Sequence, residues 1–503
     1  MKDKRLLKNT VSSMMIYGLL LIFSVITTKF VLIGYGSETN GLLSSINQVF
    51  GYIALLEAGI GTATITALYS PISKRDDETT IGVLQASKVY YRRASRWYFL
   101  CVVAVAFVWP FLIETTIPKV SIFGVILFQG ISGVITFCYT STIVNYLTAS
   151  GKHYLNNNVH ALTTVGTYCI KLCICFMQLD IVYMSLTMVG VNILKCLVYR
   201  WIMKKYCPSF FEVGAADLSV LKQRNSFLIH EISGVIFSST DTIILSVFCG
   251  LKEASVYAVY SMVLMALRSI IGQVFNGTNY ILGNAYSNQR EDYEKVHDQY
   301  NLWYIICVFI IYSVAYVLLL PFVSVYTNGV NDANYLDYRL PLLFVMIELL
   351  SACRVVDNQL IKNALHARQT ISRTVVEACI NLVCSLVLVQ FMGIYGVLLG
   401  TIIALLYRVN DLIIYANTKI LHRRPGKEYG LYAVNFLLFA GVVLLKDHIP
   451  TKASGYGQLI LIAILVAIIV ALVYLAGNLI LLKRFFKGRI RHPAATGREA
   501  ENS

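Results

Sequence analysis

The chain has 503 residues, of which 57% are hydrophobic and only 14% charged, with a formal net charge of +15 and a mean hydropathy of +0.65. Soluble domains carry about 25% charged residues. A chain this poor in charge cannot cover a water-facing surface, which excludes both a soluble enzyme and a disordered chain and leaves an all-α polytopic membrane protein. The basic excess does not point to nucleic acid, because Lys and Arg sit between apolar runs and at the two ends, as membrane topology requires.

In chain order, Lys2 to Lys8 precede a first apolar run that is long enough to span a bilayer and lacks a small-residue cleavage site. About 14 such spans follow one another, near 12–34, 42–69, 97–116, 121–147, 158–179, 181–203, 226–249, 254–283, 302–326, 340–362, 371–391, 394–417, 430–446 and 457–482. They are helices, since an open strand would leave its backbone unsatisfied in hydrocarbon and no period-2 alternation is present. With both termini cytoplasmic, the cytoplasmic segments hold roughly 31 Lys and Arg and the outer loops about 5. Basic clusters at Lys74–Arg96, Lys204–Arg224 and Arg423–Lys427 alternate with short outer loops such as Tyr35–Asn40 and Gln178–Tyr183. Thr80–Tyr98 mixes apolar and basic residues at helical spacing, which suits either a helix along the inner membrane surface or a solvated connector, and so does Arg290–Tyr300. A weak echo between spans 1–2 and spans 7–8 suggests two lobes. They cover 1–205 (spans 1–6) and 206–420 (spans 7–12), followed by appended spans at 421–482 and a basic tail at 483–503.

Charges inside the spans are the informative exceptions, because each costs roughly 2.5–3.5 kcal/mol unless paired or hydrated. Arg354/Asp357, Arg408/Asp411 and Arg373/Glu377 are three or four residues apart and share a helix face, so they are expected to pair. Lys29, Lys171, Lys195 and Arg268 have no acid within four residues. Lys29 and Lys195 are near enough to span ends to snorkel. Otherwise the four together suit a wet, positive cavity that receives an anion, and phosphate is the natural one. Glu57 and Asp241 are lone acids in spans 2 and 7, suited either to coupling H+ or Na+ or to cross-helix salt bridges. His160 and His230 are isolated helix histidines. The cysteines are scattered without a CxxC pair, so neither a metal site nor disulfides are expected. Walker A, HExxH and GxSxG patterns are missing, and no enzyme or cofactor is expected.

The runs Gly36-Ser37-Glu38-Thr39-Asn40-Gly41-Leu42 and Leu56-Glu57-Ala58-Gly59-Ile60-Gly61-Thr62-Ala63 resemble the first two helices of Wzx-type polysaccharide flippases of the multidrug/oligosaccharidyl-lipid/polysaccharide (MOP) superfamily. Thr240-Asp241-Thr242, Ala254–Tyr260, Asn381-Leu382, Gly393-Ile394-Tyr395-Gly396 and Gly400-Thr401 resemble later helices of the same family. The resemblance implies two six-helix lobes around a central cavity in the bacterial cytoplasmic membrane. It also implies, as substrate, an undecaprenyl-pyrophosphate-linked glycan passed to the outer leaflet for O-antigen or capsule synthesis, with membrane lipid and other polysaccharide-assembly proteins as partners. Related lipid II flippases use cavity arginines in helices 1 and 8, where this chain offers Lys29 and Arg268, so Lys replaces the bidentate group in the first. The expectation is then pyrophosphate on Arg268, Lys29, Lys171 and Lys195, with Asn47, Gln48, Gln129, Gln273 and Asn276 facing sugar hydroxyls. A multidrug exporter of the same superfamily and a polytopic glycosyltransferase or polymerase are the rival readings.

Overall fold

The computed structural model describes residues 2–57, 59–207, 210, 240–276, 279–288, 293–449 and 455–479. Glu231, His230, most of span 7, Lys222 and Arg224, and the basic tail lie outside them. The described chain is helical, in the order α1 (Lys2–Ile53), α2 (Ile60–Lys74), α3 (Asp77–Leu112), α4 (Lys119–Ile135), α5 (Ser141–Ala149), α6 (His153–Phe176) and α7 (Val182–Tyr206). A helix over 240–248, α8, comes next. Then follow α9 (Leu251–Asn276), α10 (Asn279–Asn288), α11 (Tyr293–Tyr326), α12 (Leu340–Cys353), α13 (Val355–Asn363), α14 (Ile371–Met392), α15 (Ile394–Tyr415), α16 (Gly426–Leu445) and α17 (Tyr456–Gly477).

Eleven described helices are long and apolar enough to cross a membrane, and the chain is a multi-pass membrane protein. The difference from the 14 expected spans has local causes. Spans 1 and 2 meet in α1, where the expected loop shrinks to a kink at Gly36 (φ 82°), a backbone conformation open to glycine without a Cβ penalty. Span 7 is described only from residue 240. Span 10 is divided into α12 and α13 at Arg354. The two expected surface segments also differ. Thr80–Tyr98 is the first half of the 36-residue α3, and the described part of Arg290–Tyr300 begins the 34-residue α11. In α3 the apolar positions Val83, Leu84, Ala86, Tyr91 and Ala94 are buried, so packing carries the helix straight on from the surface.

Between helices in lipid there is little hydrophobic gain, so close backbone approach and hydrogen bonds do the packing. Gly130 and Gly133 let α4 lie against Val102 and Tyr98 of α3, where an added Cβ would come within 2.1 and 2.4 Å of those side chains. Tyr98 in turn packs on Phe50 and edge-on to Phe137.

Two compact units result. The first holds Met1–Met262, Tyr326–Tyr335 and Thr374–Ile403, and the second Val263–Val325, Leu336–Arg373 and Ala404–Ser503. Helices α9, α14 and α15 each contribute to both.

Candidate functional site

In the first unit, span 2 breaks in mid-course. Helix α1 tightens into a 3-10 turn over Ala54–Glu57, and α2 restarts after Gly59, whose φ of 78° supplies the left-handed turn. Half-helix ends inside a membrane expose unsatisfied N–H and C=O groups, which is how discontinuous helices form ion and substrate sites. The half-buried Glu57 stands at this break. A second irregularity, a π-turn over Thr136–Thr140, interrupts span 4 between α4 and α5.

Five residues before Glu57, the Tyr52 hydroxyl hydrogen-bonds Thr240, the residue before Asp241. Asp241 is buried, and its Oδ2 accepts from Tyr257 of α9 (2.9 Å) and Thr401 of α15 (3.0 Å). Asn381 of α14 donates to Thr401 (2.8 Å). Gly396 and Gly400 permit this, since a Cβ on them would fall 2.2 Å from Leu388 O and 2.5 Å from Ser385 Oγ of the facing helix. Asp241 is thus held by hydroxyls rather than by a basic side chain, while its Oδ1 is buried and accepts no hydrogen bond among the described residues. That leaves one carboxylate oxygen for a proton or a small cation.

At the Gly36 end of the same unit, the kink aims the backbone of Ser37 at the loop after α11. Ser37 donates to Asp332 from its N–H (2.7 Å) and its hydroxyl (2.6 Å). Tyr335 donates to Ser37 Oγ (2.7 Å) and shares a hydrogen bond with Ser255 (2.8 Å), which accepts from Asn40 (2.7 Å). Burial works to raise the Asp332 pKa, but the two hydrogen bonds from Ser37 outweigh it and hold the carboxyl below its ordinary value. These contacts latch the start of α9 and the 327–335 loop onto α1. Gly41 makes the fit possible, because a Cβ there would lie 1.9 Å from Leu251 O.

The four candidate cations do not share one setting. Lys29, Lys171 and Lys195 belong to the first unit and Arg268 to the second. Ring contacts of Phe23 with Tyr168 and Phe30 with Phe176 fix α1 and α6 as parallel neighbours, which puts Lys171 within about one turn, ~5 Å, of the level of Lys29. Tyr199 donates to Asn156 (2.6 Å), which sets the antiparallel register of α6 and α7 and brings Lys195 level with His160. That is about 11 residues, roughly 16 Å, from Lys171. Lys29 Nζ lies 6.0 Å from the Tyr326 ring and Lys195 Nζ 5.9 Å from its own helix neighbour Tyr199. Arg268 is not bare. It makes a bidentate pair with Glu348 of α12 (Nε–Oε2 2.9 Å, Nη2–Oε1 2.5 Å), and Tyr312 of α11 donates to the same carboxylate (2.9 Å). Its side chain is nevertheless 52% exposed, against 6% for Glu348.

The same-helix pairs fare unevenly. Arg408 and Asp411 pair as expected (2.8 Å). Arg354 and Asp357 do not, as both Asp357 oxygens lack a hydrogen-bond partner among the described residues. Arg373 reaches across to Asp411 instead of staying with Glu377 on its own helix, so two guanidinium groups meet on one carboxylate beside an open groove lined by Leu406, Tyr407, Asn410, Asp411 and Ile414. The sequence contained both arginines but no sign that they converge. Among the sugar-facing candidates, Gln129 donates to the exposed Asn47, Gln48 is half-buried and Gln273 is exposed. Asn276 closes α9, and its side chain lies outside the described set. A further cavity of about 350 Å³, lined by Tyr35, Ser121, Gln178 and Asp180, contains none of the candidate cations.

No protein-family model and no curated protein sequence matches the chain. Solved structures do. An inward-facing MATE-family multidrug resistance transporter of the MOP superfamily is similar at a TM-score of 0.67 and 12% identity, covering 82% of this chain and 98% of the other. The lipid II flippase MurJ, in an inward closed conformation, is similar at 0.66 and 12%, covering 96% of this chain and all of that one. A MOP-superfamily transporter from Pyrococcus furiosus follows at 0.54 and 15%, covering 82% and 96%. The broken and kinked spans described above are therefore set in the fold of MOP-superfamily transporters.

Proposed function

We propose that this protein is a flippase that carries an undecaprenyl-pyrophosphate-linked oligosaccharide from the inner to the outer leaflet of a bacterial cytoplasmic membrane, for O-antigen or capsule synthesis. The observation that carries the reading is one of extent: the likeness to a lipid II flippase runs over 96% of this chain, whereas the multidrug transporter leaves 18% of it unmatched. The embedded cations support it. In this reading Lys29 and Lys171, at nearly one level in the first unit, are candidates to meet the diphosphate, and Arg268 of the second unit is a separate phosphate-binding candidate that would share or leave Glu348. Lys195, about 16 Å further along the helices, is the remaining phosphate candidate, and Asn47, Gln48, Gln129, Gln273 and Asn276 are the candidates for meeting sugar hydroxyls. Glu57, at the helix break, and Asp241 are the candidates for coupling to H+ or Na+. Release of the Ser37–Asp332 latch would accompany opening of that end. An inside-negative potential favours outward movement of each negative charge by about 2.3 kcal/mol per 100 mV.

The test is reconstitution in vesicles with a fluorescent undecaprenyl-pyrophosphate oligosaccharide in one leaflet. Protein-dependent appearance in the other leaflet is expected, with loss on Lys171→Ala. Transport of cationic dyes without movement of the lipid would replace this reading with that of a multidrug exporter.

A further inference from the structure

One cluster of metal-type donors takes no part in the flipping proposed above. His297 in the first turns of α11, Asp357 of α13 and Glu428 in the first turn of α16 all belong to the second unit. His297 and Asp357 are 0% exposed and Glu428 3%. One ligand atom from each lies within 4.8 Å of the others, and His297 Nε2 is 3.7 Å from Asp357 Oδ1. A tetrahedral ion with bonds of about 2.1 Å needs ligand separations of about 3.4 Å, so the three side chains must close in by up to about 1.4 Å on binding.

The hydrogen bonding is what asks for a cation. Neither nitrogen of His297 and neither oxygen of Asp357 has a hydrogen-bond partner among the described residues. Buried groups of this kind are almost always satisfied, and an orphan carboxylate beside a second one costs several kcal/mol. Arg423 does not meet the need, being engaged with Asp298 (2.6 Å), Glu294 (2.9 Å) and Asn417 Oδ1 (2.7 Å). Glu428 is pre-set by amide donors, Asn301 to Oε1 (3.0 Å) and Asn417 to Oε2. Two carboxylates and one neutral imidazole balance a divalent charge. Asn301 Oδ1, on the residue whose amide binds Glu428, is also buried and without a hydrogen bond among the described residues. Asp298 lies 3.7 Å from His297 Nδ1, the arrangement in which an outer carboxylate orients a ligating imidazole.

We propose that His297, Asp357 and Glu428 bind one divalent transition-metal ion of the Zn2+ class, tying α11, α13 and α16 together. The imidazole sets the class, since Mg2+ and Ca2+ favour all-oxygen sites. The experiment uses the full chain in detergent, stripped with a chelator and titrated with Zn2+ or Co2+. One equivalent binds, the melting temperature rises, and Co2+ gives the visible absorption of a low-coordinate nitrogen–oxygen site. Asp357→Asn lowers the affinity at least about 100-fold, and the outer-carboxylate variant Asp298→Asn about 10–100-fold. Absence of stoichiometric Zn2+ binding to the unmutated chain overturns the proposal, as does wild-type affinity in Asp357→Asn. Should that variant fail to fold, the Co2+ spectrum of His297→Gln decides, and an unchanged spectrum is equally fatal.

Discussion

Replacing Arg268 with alanine removes two charge-assisted hydrogen bonds from Glu348 and leaves that carboxylate 6% exposed with the Tyr312 hydroxyl as a remaining donor. Breaking a buried ion pair costs about 3–5 kcal/mol. Because Arg268 itself is half exposed, solvent already screens the pair, and about 2–3 kcal/mol is the reasonable loss. Glu348→Ala takes the bidentate acceptor from a half-exposed arginine instead, for about 1–2 kcal/mol. Residues in contact couple by about 0.5–3 kcal/mol, so the double variant should be more stable than the sum of the single losses predicts by about 1–2 kcal/mol. Equilibrium unfolding of the four proteins in mixed micelles measures this, and vesicle flipping measured in parallel separates the two roles of Arg268. A phosphate ligand leaves Arg268→Ala and the double variant inactive while Glu348→Ala, which keeps the arginine, still flips, whereas a purely structural arginine lets activity follow stability across the three variants. Additive losses, with coupling below about 0.5 kcal/mol, would refute the bidentate pair.

Other consequences follow from the first unit. Gly41→Ala drives a Cβ to 1.9 Å from a backbone oxygen, which cannot rotate away, so α1 and α9 must part. A loss of about 1–3 kcal/mol is expected as a lowered melting temperature, and unchanged melting would contradict the close approach. The Asp332 latch carries a pH signature. Its depressed pKa means its stabilisation is complete above the unfolded value of 3.8 and is lost as pH falls through the lower folded one. Acid should therefore narrow the stability gap between the unmutated chain and Asp332→Asn, and a gap constant down to pH 2 would exclude the mechanism. Asp241→Ala removes the acceptor of Tyr257 and Thr401 and should cost about 1–3 kcal/mol. Asp241→Asn should keep most of that stability while abolishing any H+ or Na+ dependence of transport; retained dependence would take Asp241 out of the coupling role.

Periodicity and charge placement were enough to read the helical class and most span positions, because lipid forces each crossing to satisfy its own backbone. Local spacing served equally well at Arg408 and Asp411, which sit on one unbroken helix. It failed at Arg354 and Asp357, which stand where the expected span is divided into α12 and α13. Long-range partners were beyond reach. Arg268 and Glu348 are 80 positions apart, and nothing at either site announces the other. His297, Asp357 and Glu428 come from three helices with no motif spacing at all. The break at Glu57, by contrast, leaves a trace in Gly59 and Gly61, both within the run that resembles the family's second helix.

The last helix shows how little contact a crossing needs. Along α17 only Val466, Val470 and Tyr474 are buried, followed at the same interval by Asn478, while Leu461, Leu465, Ile469 and Leu472 face outward. Gly477 admits Leu438 of α16, Tyr474 shares a hydrogen bond with Ser313, and Asn478 exchanges amide hydrogen bonds with Asn435. Acyl chains are thus the principal solvent of this segment, and a single polar spine fastens it like a zip with a few teeth. Such a helix inserts on its own merits and docks afterwards, so the chain could gain it late without redesigning anything already assembled.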